Sequence, residues 1–192
     1  LNLFFSEKGG GQTESVTADR QQGLLMLCTG SGKGKTTAAI GQIMRALGHG
    51  WPVCLIQFIK GNRQTGELAA AARFADLLDV HVVGRGFTWK SDDLSKDMAA
   101  ARSGWELAKQ VIAAGRHRLV VLDELTYLVT YGMVAEEEIV AAVTRRHPEM
   151  HILVTGRNAG EELVRAADLV TEMREIKHPY QQGIKAQAGI EF

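Results

Sequence analysis

The sequence is poor in cysteine, balanced in charge and free of long hydrophobic runs, and each shortage removes a class of protein. Its two cysteines, Cys28 and Cys54, are too few for a disulfide framework. Both lie in apolar, strand-like runs, so they read as buried thiols of a protein kept in a reducing cytoplasm. No apolar run approaches the roughly 20 residues that a membrane helix requires, and Leu1 to Phe5 is too short for the core of a signal peptide. A soluble, cytoplasmic protein is expected. Lys and Arg number 22 against 22 Asp and Glu, so no overall charge draws the surface to nucleic acid or to anionic membrane. The six histidines are scattered, and Pro148 breaks the helical register between His147 and His151. No zinc site is expected.

What the chain does have is enough apolar material, 45% over 192 residues, for one sizeable core and one compact domain. Residues 1–22 hold the triplet Gly9, Gly10 and Gly11 among polar residues, without sustained periodicity. They read as a flexible amino-terminal arm, and the start on Leu1 suggests a trimmed end. From Gly23 short apolar runs alternate with helical patterns: Leu24 to Cys28, Val53 to Phe58, Val80 to Val83, Leu119 to Leu122, His151 to Val154 and Leu169 to Met173. Between them Ile40, Ile43, Met44 and Leu47 share a helix face, and Met98, Ala101, Trp105, Ala108 and Ile112 repeat the same spacing. Gly48 and Gly115 stop those helices. The pattern predicts an α/β domain over 23–192, a doubly wound, mostly parallel sheet of about six strands.

In such a sheet, ligands bind beyond the carboxyl ends of the strands. The segments leaving those ends carry Gly30 to Thr37, Lys60 to Glu67, Arg85 to Trp89, Asp123 with Glu124, and Thr155 to Arg157. The first reads TGSGKGKTT between a strand and a helix, the setting of a phosphate-binding loop. Gly30, Gly32 and Gly34 let backbone N–H groups turn toward phosphate oxygens beside the helix's positive end. Lys35 adds a full charge, and Thr36 a hydroxyl for Mg²⁺. The usual pattern has glycine five places before Gly34, where this chain has Thr29, so the loop is atypical. LVVLDEL places Asp123 and Glu124 at the end of an apolar strand, and one of the two is the expected metal partner. Phe87 and Trp89, in VGRGFTWK, either return to the core or form a flat wall for a bulky second substrate. Arg157, in VTGRN, either contacts phosphate or pairs with a surface carboxylate.

TGSGKGKTTAA, RALGHG, QFIKG, GFTW, VVLDELTY, TGR and the tail KHPYQQGIKAQAGI together resemble the ATP:corrinoid adenosyltransferases of the cob(I)alamin type found in bacteria. The match in order and spacing runs from about residue 24 to 192. The resemblance implies a P-loop, RecA-like fold and a reaction in which Co(I) of a corrinoid attacks the 5′ carbon of ATP and releases triphosphate. It further implies that Gly30, Ser31, Gly32, Lys33, Gly34, Lys35, Thr36 and Thr37, with Arg157, hold ATP in a sense reversed from ordinary loop ATPases. Lys35, Thr36 and Glu124 then carry catalysis, Thr36 and Glu124 with Asp123 bind Mg²⁺, and Phe87 and Trp89 face the corrinoid. A flavoprotein reductant and a homodimer are further implied. Glu7 to Gln22 departs from the longer charged segment of such proteins, so the resemblance does not carry over closure of the site by this arm in the same way. An ATPase or kinase acting at the γ-phosphate, and a non-catalytic ATP sensor, are the alternatives.

Overall fold

The structure is a computed structural model that describes residues 22–59, 61, 65–84 and 94–192. The expected arm over 1–22 therefore lies outside the described residues except for Gln22.

Six strands form one sheet: β1 (Leu25–Thr29), β2 (Val53–Gln57), β3 (Leu78–Val82), β4 (Leu119–Asp123), β5 (His151–Thr155) and β6 (Leu169–Glu172). Their order is β3-β2-β4-β5-β1-β6, and every neighbouring pair is parallel. The expected doubly wound, parallel α/β sheet is present. The central strands β2 (VCLIQ) and β4 (LVVLD) are buried at all five positions, as continuous apolar strands covered on both faces must be. Alternation sends Val120 and Leu122 into one core layer and Leu119 and Val121 into the other.

Helices cover both faces. The helix α1 (Lys35–Gly48) lays Ala39, Ile43, Ala46 and Leu47 on one side. The other side is packed by α3 (Leu94–Ala114) and α5 (Glu136–Thr144), with the short α4 (Thr126–Thr130) and α6 (Glu161–Ala166). A further short helix, α2 (Gly66–Ala71), follows β2. In α3 the expected stripe is buried at Ala101, Trp105, Ala108 and Ile112 but not at Met98, which is exposed, and the Trp105 indole N–H donates to Glu138 Oε1 at 2.7 Å. That bond ties α3 to α5 and satisfies the one polar atom of a fully buried ring.

Two differences from the sequence expectation concern the sheet edges. The third strand begins at Leu78 rather than Val80, because exposed Asp79 pairs with Cys54 on an edge where a polar side chain reaches water. The sixth stops at Glu172, and all four of its residues are exposed. Its apolar composition therefore reports strand propensity and not burial. Both cysteines are free thiols. Burial, helped by Asp79, pushes the Cys54 thiol up to about 12, and burial also raises Cys28.

Candidate active site at the phosphate loop

The strand order decides what meets at the carboxyl end of the sheet. The loop-bearing strand β1 and the acid-bearing strand β4 are not neighbours, because β5 lies between them. The last residue of β5, Thr155, is fully buried and bridges the two. Its hydroxyl donates to Asp123 Oδ1 at 2.7 Å and accepts from the Glu124 backbone N–H at 2.9 Å. The Thr36 hydroxyl, one residue into α1, donates to the same Asp123 oxygen at 2.9 Å, and Gln57 Nε2 at the end of β2 donates to Oδ2 at 3.3 Å. Asp123 is thus a buried acceptor that aligns the ends of β2, β5 and α1. A carboxylate in that position is tolerated because its lone pairs are taken up by donors.

Glu124 stands differently. It follows β4 in the left-handed region, with φ 63°, where a side chain with a Cβ costs about 1–2 kcal/mol per residue. The hydrogen bond from its N–H to Thr155 holds the turn, and the residue borders a cavity of about 660 Å³ at the sheet's carboxyl end. Backbone strain retained at such a place is what a site that needs a fixed carboxylate shows. Of the two expected acids, then, Glu124 faces the cavity and Asp123 is buried behind it.

Gly32, Lys33, Gly34, Lys35, Thr36 and Thr37 border the same cavity, as does Arg157. Lys35 donates from Nζ to the Gly30 carbonyl at 2.7 Å and the Gly32 carbonyl at 2.6 Å, which centres its ammonium on the loop. Burial lowers its pKa first, Arg157 adds to the fall, and Glu124 and Cys28 oppose it. Arg157 is positioned through its backbone, whose carbonyl accepts from the Thr126 hydroxyl at 2.6 Å. The preceding Gly156 has φ +147°, and a Cβ there would run into the Thr126 hydroxyl. Only glycine fits that approach.

Gly30 and Ser31 are not among the residues bordering the cavity. A Cβ on Gly30 would meet the Met173 carbonyl oxygen at 2.5 Å, and the Gly32 N–H donates to that oxygen at 2.7 Å. Two of the loop glycines therefore admit the chain that leaves β6, in addition to shaping the loop. Thr155, Gln57 and the 173–192 segment are contributors to which the sequence reading gave no individual site role, although the motifs TGR, QFIKG and the tail KHPYQQGIKAQAGI carry them. Phe87 and Trp89 lie outside the described residues.

A depressed Lys35 pKa has a consequence for pH dependence. The charged ammonium is the form that attracts phosphate, and a lowered pKa means that this form is lost at lower pH than for an ordinary lysine, whose pKa is about 10.4. The alkaline limb of kcat/KM for the nucleotide, which reports the free protein, is expected to start below that value. Lys35→Arg should move the limb upward beyond the measurable range. A limb that stays in place in Lys35→Arg would assign it to another group.

The sequence profile of the family described as ATP:corrinoid adenosyltransferase BtuR/CobO/CobP matches residues 21–192. A corrinoid adenosyltransferase of a Sinorhizobium species is 42% identical over 188 residues, 97% of this chain and 88% of that protein. One from Pseudomonas aeruginosa is 44% identical over 172 residues, 90% of this chain and 85% of that protein. Among solved structures, the flagellar accessory protein FlaH from Methanocaldococcus jannaschii superposes with a TM-score of 0.54 at 11% identity, covering 79% of this chain and 71% of that one. At that identity the likeness speaks for the fold alone, a parallel sheet with helices on both faces.

Proposed function

Because the chain belongs to the ATP:corrinoid adenosyltransferase BtuR/CobO/CobP family, we propose that it transfers the 5′-deoxyadenosyl group of ATP to the Co(I) centre of a corrinoid. The electron pair of Co(I) attacks C5′, the cobalt–carbon bond forms, and the C5′–O bond breaks. Triphosphate leaves with that bond's electrons. The observation that carries the reading is the cavity that joins Lys35, Thr36, Glu124 and Arg157, a positively charged phosphate end with an acid beside it.

The nucleophile belongs to the substrate, so the protein's work is to position the reactants and stabilise charge. Lys35 and Arg157 offset the charge that grows on the departing triphosphate, in a site already oriented for it. Thr36 is aligned by Asp123. Together Thr36 and Glu124 offer hard oxygen donors, the set that Mg²⁺ takes. When bound, Mg²⁺ neutralises phosphate charge. Phe87 and Trp89 are assigned to the corrinoid face on the family resemblance, as are a flavoprotein that delivers the electron to Co(II), a homodimer and a cytoplasmic location. Among the described residues no helix is long and apolar enough to cross a membrane.

The protein mixed anaerobically with Mg-ATP and cob(I)alamin is expected to consume the Co(I) spectrum and form a light-sensitive adenosylcobalamin, with one triphosphate released per cobalt. Persistence of Co(I) while ADP and phosphate appear would replace this reading with an ATPase, and unchanged ATP would replace it with a binding module.

A further inference from the structure

Among the described residues, two that are not glycine hold a positive φ, Glu124 at 63° and Asn158 at 52°. Both lie on loops that leave the carboxyl end of the sheet. Glu124 follows β4, and Asn158 follows Arg157 in the loop after β5. Gly156, on the other side of Arg157, has φ +147°. Arg157 is therefore presented from a backbone that turns to positive φ on both sides, a conformation that persists where neighbouring groups hold it. Glu124 and Arg157 border the same cavity, so the two strained loops face one site.

Side chains from three other elements hold the Arg157 loop. The buried Thr126 hydroxyl, at the start of α4, donates to the Arg157 carbonyl at 2.6 Å. The Thr29 hydroxyl, at the end of β1, accepts from the Ala159 N–H at 3.4 Å. The Glu136 carboxylate, at the start of α5, accepts from the Leu163 N–H at 2.9 Å, in the first turn of α6. That helix begins at Gly160 and has no side-chain cap of its own, so the acceptor for its first turn comes from another helix. Gly160 lies so close to the same carboxylate that a Cβ would run into it. The support is also mutual, since the Thr155 hydroxyl accepts from the Glu124 N–H. Each of the two loops thus carries a threonine that holds the backbone of the other at its charged residue.

We infer that Thr126, Thr29 and Glu136 are positioning residues for Arg157, mounting the loop 156–160 on α4, β1 and α5 so that the guanidinium is delivered to the phosphate end of the cavity beside Glu124. This rests on the reading of Arg157 as a contact of the departing triphosphate. None of the three borders the cavity, so they act through the arginine and not on a reactant. Arg157 itself is exposed, and no core packing fixes its side chain. Its backbone is what the fold controls, and a shift of about 1 Å in a positioned group can cost about 10²-fold in rate. The departure of the phosphate loop from the usual pattern then has a use. A glycine at position 29 would lack the hydroxyl that ties the strand carrying the loop to the segment carrying Arg157.

The test is a double-mutant cycle in the full chain, with Thr126→Val, which removes the hydroxyl and keeps the shape, Arg157→Ala and the two combined. Anaerobic kinetics with cob(I)alamin give kcat and KM for ATP, calorimetry gives the affinity for Mg-ATP, and a melting curve checks folding. Thr126→Val is expected to lower kcat/KM about tenfold, within the range that misplacing such a group produces, and Thr126→Ser to restore it to within about twofold. In the Arg157→Ala background Thr126→Val should add less than about twofold, because the group it positions is gone. Thr29→Gly and Glu136→Ala, run through the same cycle, give the same pattern and carry the test if Thr126→Val does not fold. Losses that multiply in the double variants would show that these residues act independently of Arg157, and overturn the inference. Normal kcat/KM and ATP affinity in Arg157→Ala would overturn it too, and would leave adenosyl transfer standing. If the unaltered protein binds ATP but forms no adenosylcobalamin, the proposed function fails, and the cycle read in ATP affinity still decides the inference.

Discussion

Lys35→Ala is expected to lower kcat/KM for ATP by about two to three orders of magnitude, the scale seen when a preorganised charge is removed from the place where transition-state charge develops. Lys35 is the charged group at the centre of the loop, held by the Gly30 and Gly32 carbonyls, and the triphosphate leaves as a highly charged anion. The alanine removes a cation and leaves the Gly30 and Gly32 carbonyls without their donor, so on the proposed role of the loop binding and chemistry are both expected to suffer. Thermal stability should change little, since Lys35 is only half-buried and its two bonds close a loop and not a core contact. Anaerobic steady-state kinetics with cob(I)alamin, beside a melting curve, makes the check. Near-normal kcat/KM in a folded Lys35→Ala protein would sink the assignment of the loop to the triphosphate.

Glu124→Gln and Asp123→Ala are expected to separate two roles that adjacent carboxylates can conceal. Glu124 borders the cavity, and its turn is held through its backbone N–H, a bond that glutamine keeps. Loss of the carboxylate charge should cut turnover about a hundredfold, with a melting temperature within about 2 °C of the parent, as for a substitution that leaves burial and backbone intact. Asp123 accepts from Thr36, Thr155 and Gln57 in the buried centre. Alanine there strands the buried donors of Thr155 and Gln57, which cannot reach water, at a cost of about 2–3 kcal/mol, or about 5–10 °C in Tm for a chain of this size. Activity should fall as well, because Thr36 loses its partner. Scanning calorimetry and Mg²⁺ titration of the nucleotide-bound variants read both effects. A Glu124→Gln protein that melts far below the parent, or an Asp123→Ala protein that does not, would reverse the division.

Much of the site was legible because its parts are local. The run TGSGKGKTT sits between an apolar strand and an amphipathic helix, so loop and helix start can be read within a dozen residues, and the structure places Lys35 and Thr36 at the first turn of α1. The six apolar runs became six strands, with errors only at the edges. Asp79 interrupted the hydrophobic pattern of β3, and β6 carried an apolar pattern without burial. Thr155 and Gln57 stood in the motifs TGR and QFIKG, but their part in the site was not legible. A buried threonine or glutamine at a strand end looks like any other until the neighbouring strand is known.

The sequence by itself determined the alternation of strands and helices, the glycine-rich turn with its lysine and threonine, and the two acids closing β4, since each follows from contacts among residues a few places apart. Only the tertiary structure decided that β5 enters between β1 and β4, that Thr155 therefore joins Thr36, Asp123 and Glu124, and that residues 173–192 return to pack on the loop. The physical reason is that backbone hydrogen bonds are the same for every parallel pair. Which strand pairs with which is settled by how the side chains of the whole core fill space, and that information is spread over the entire chain.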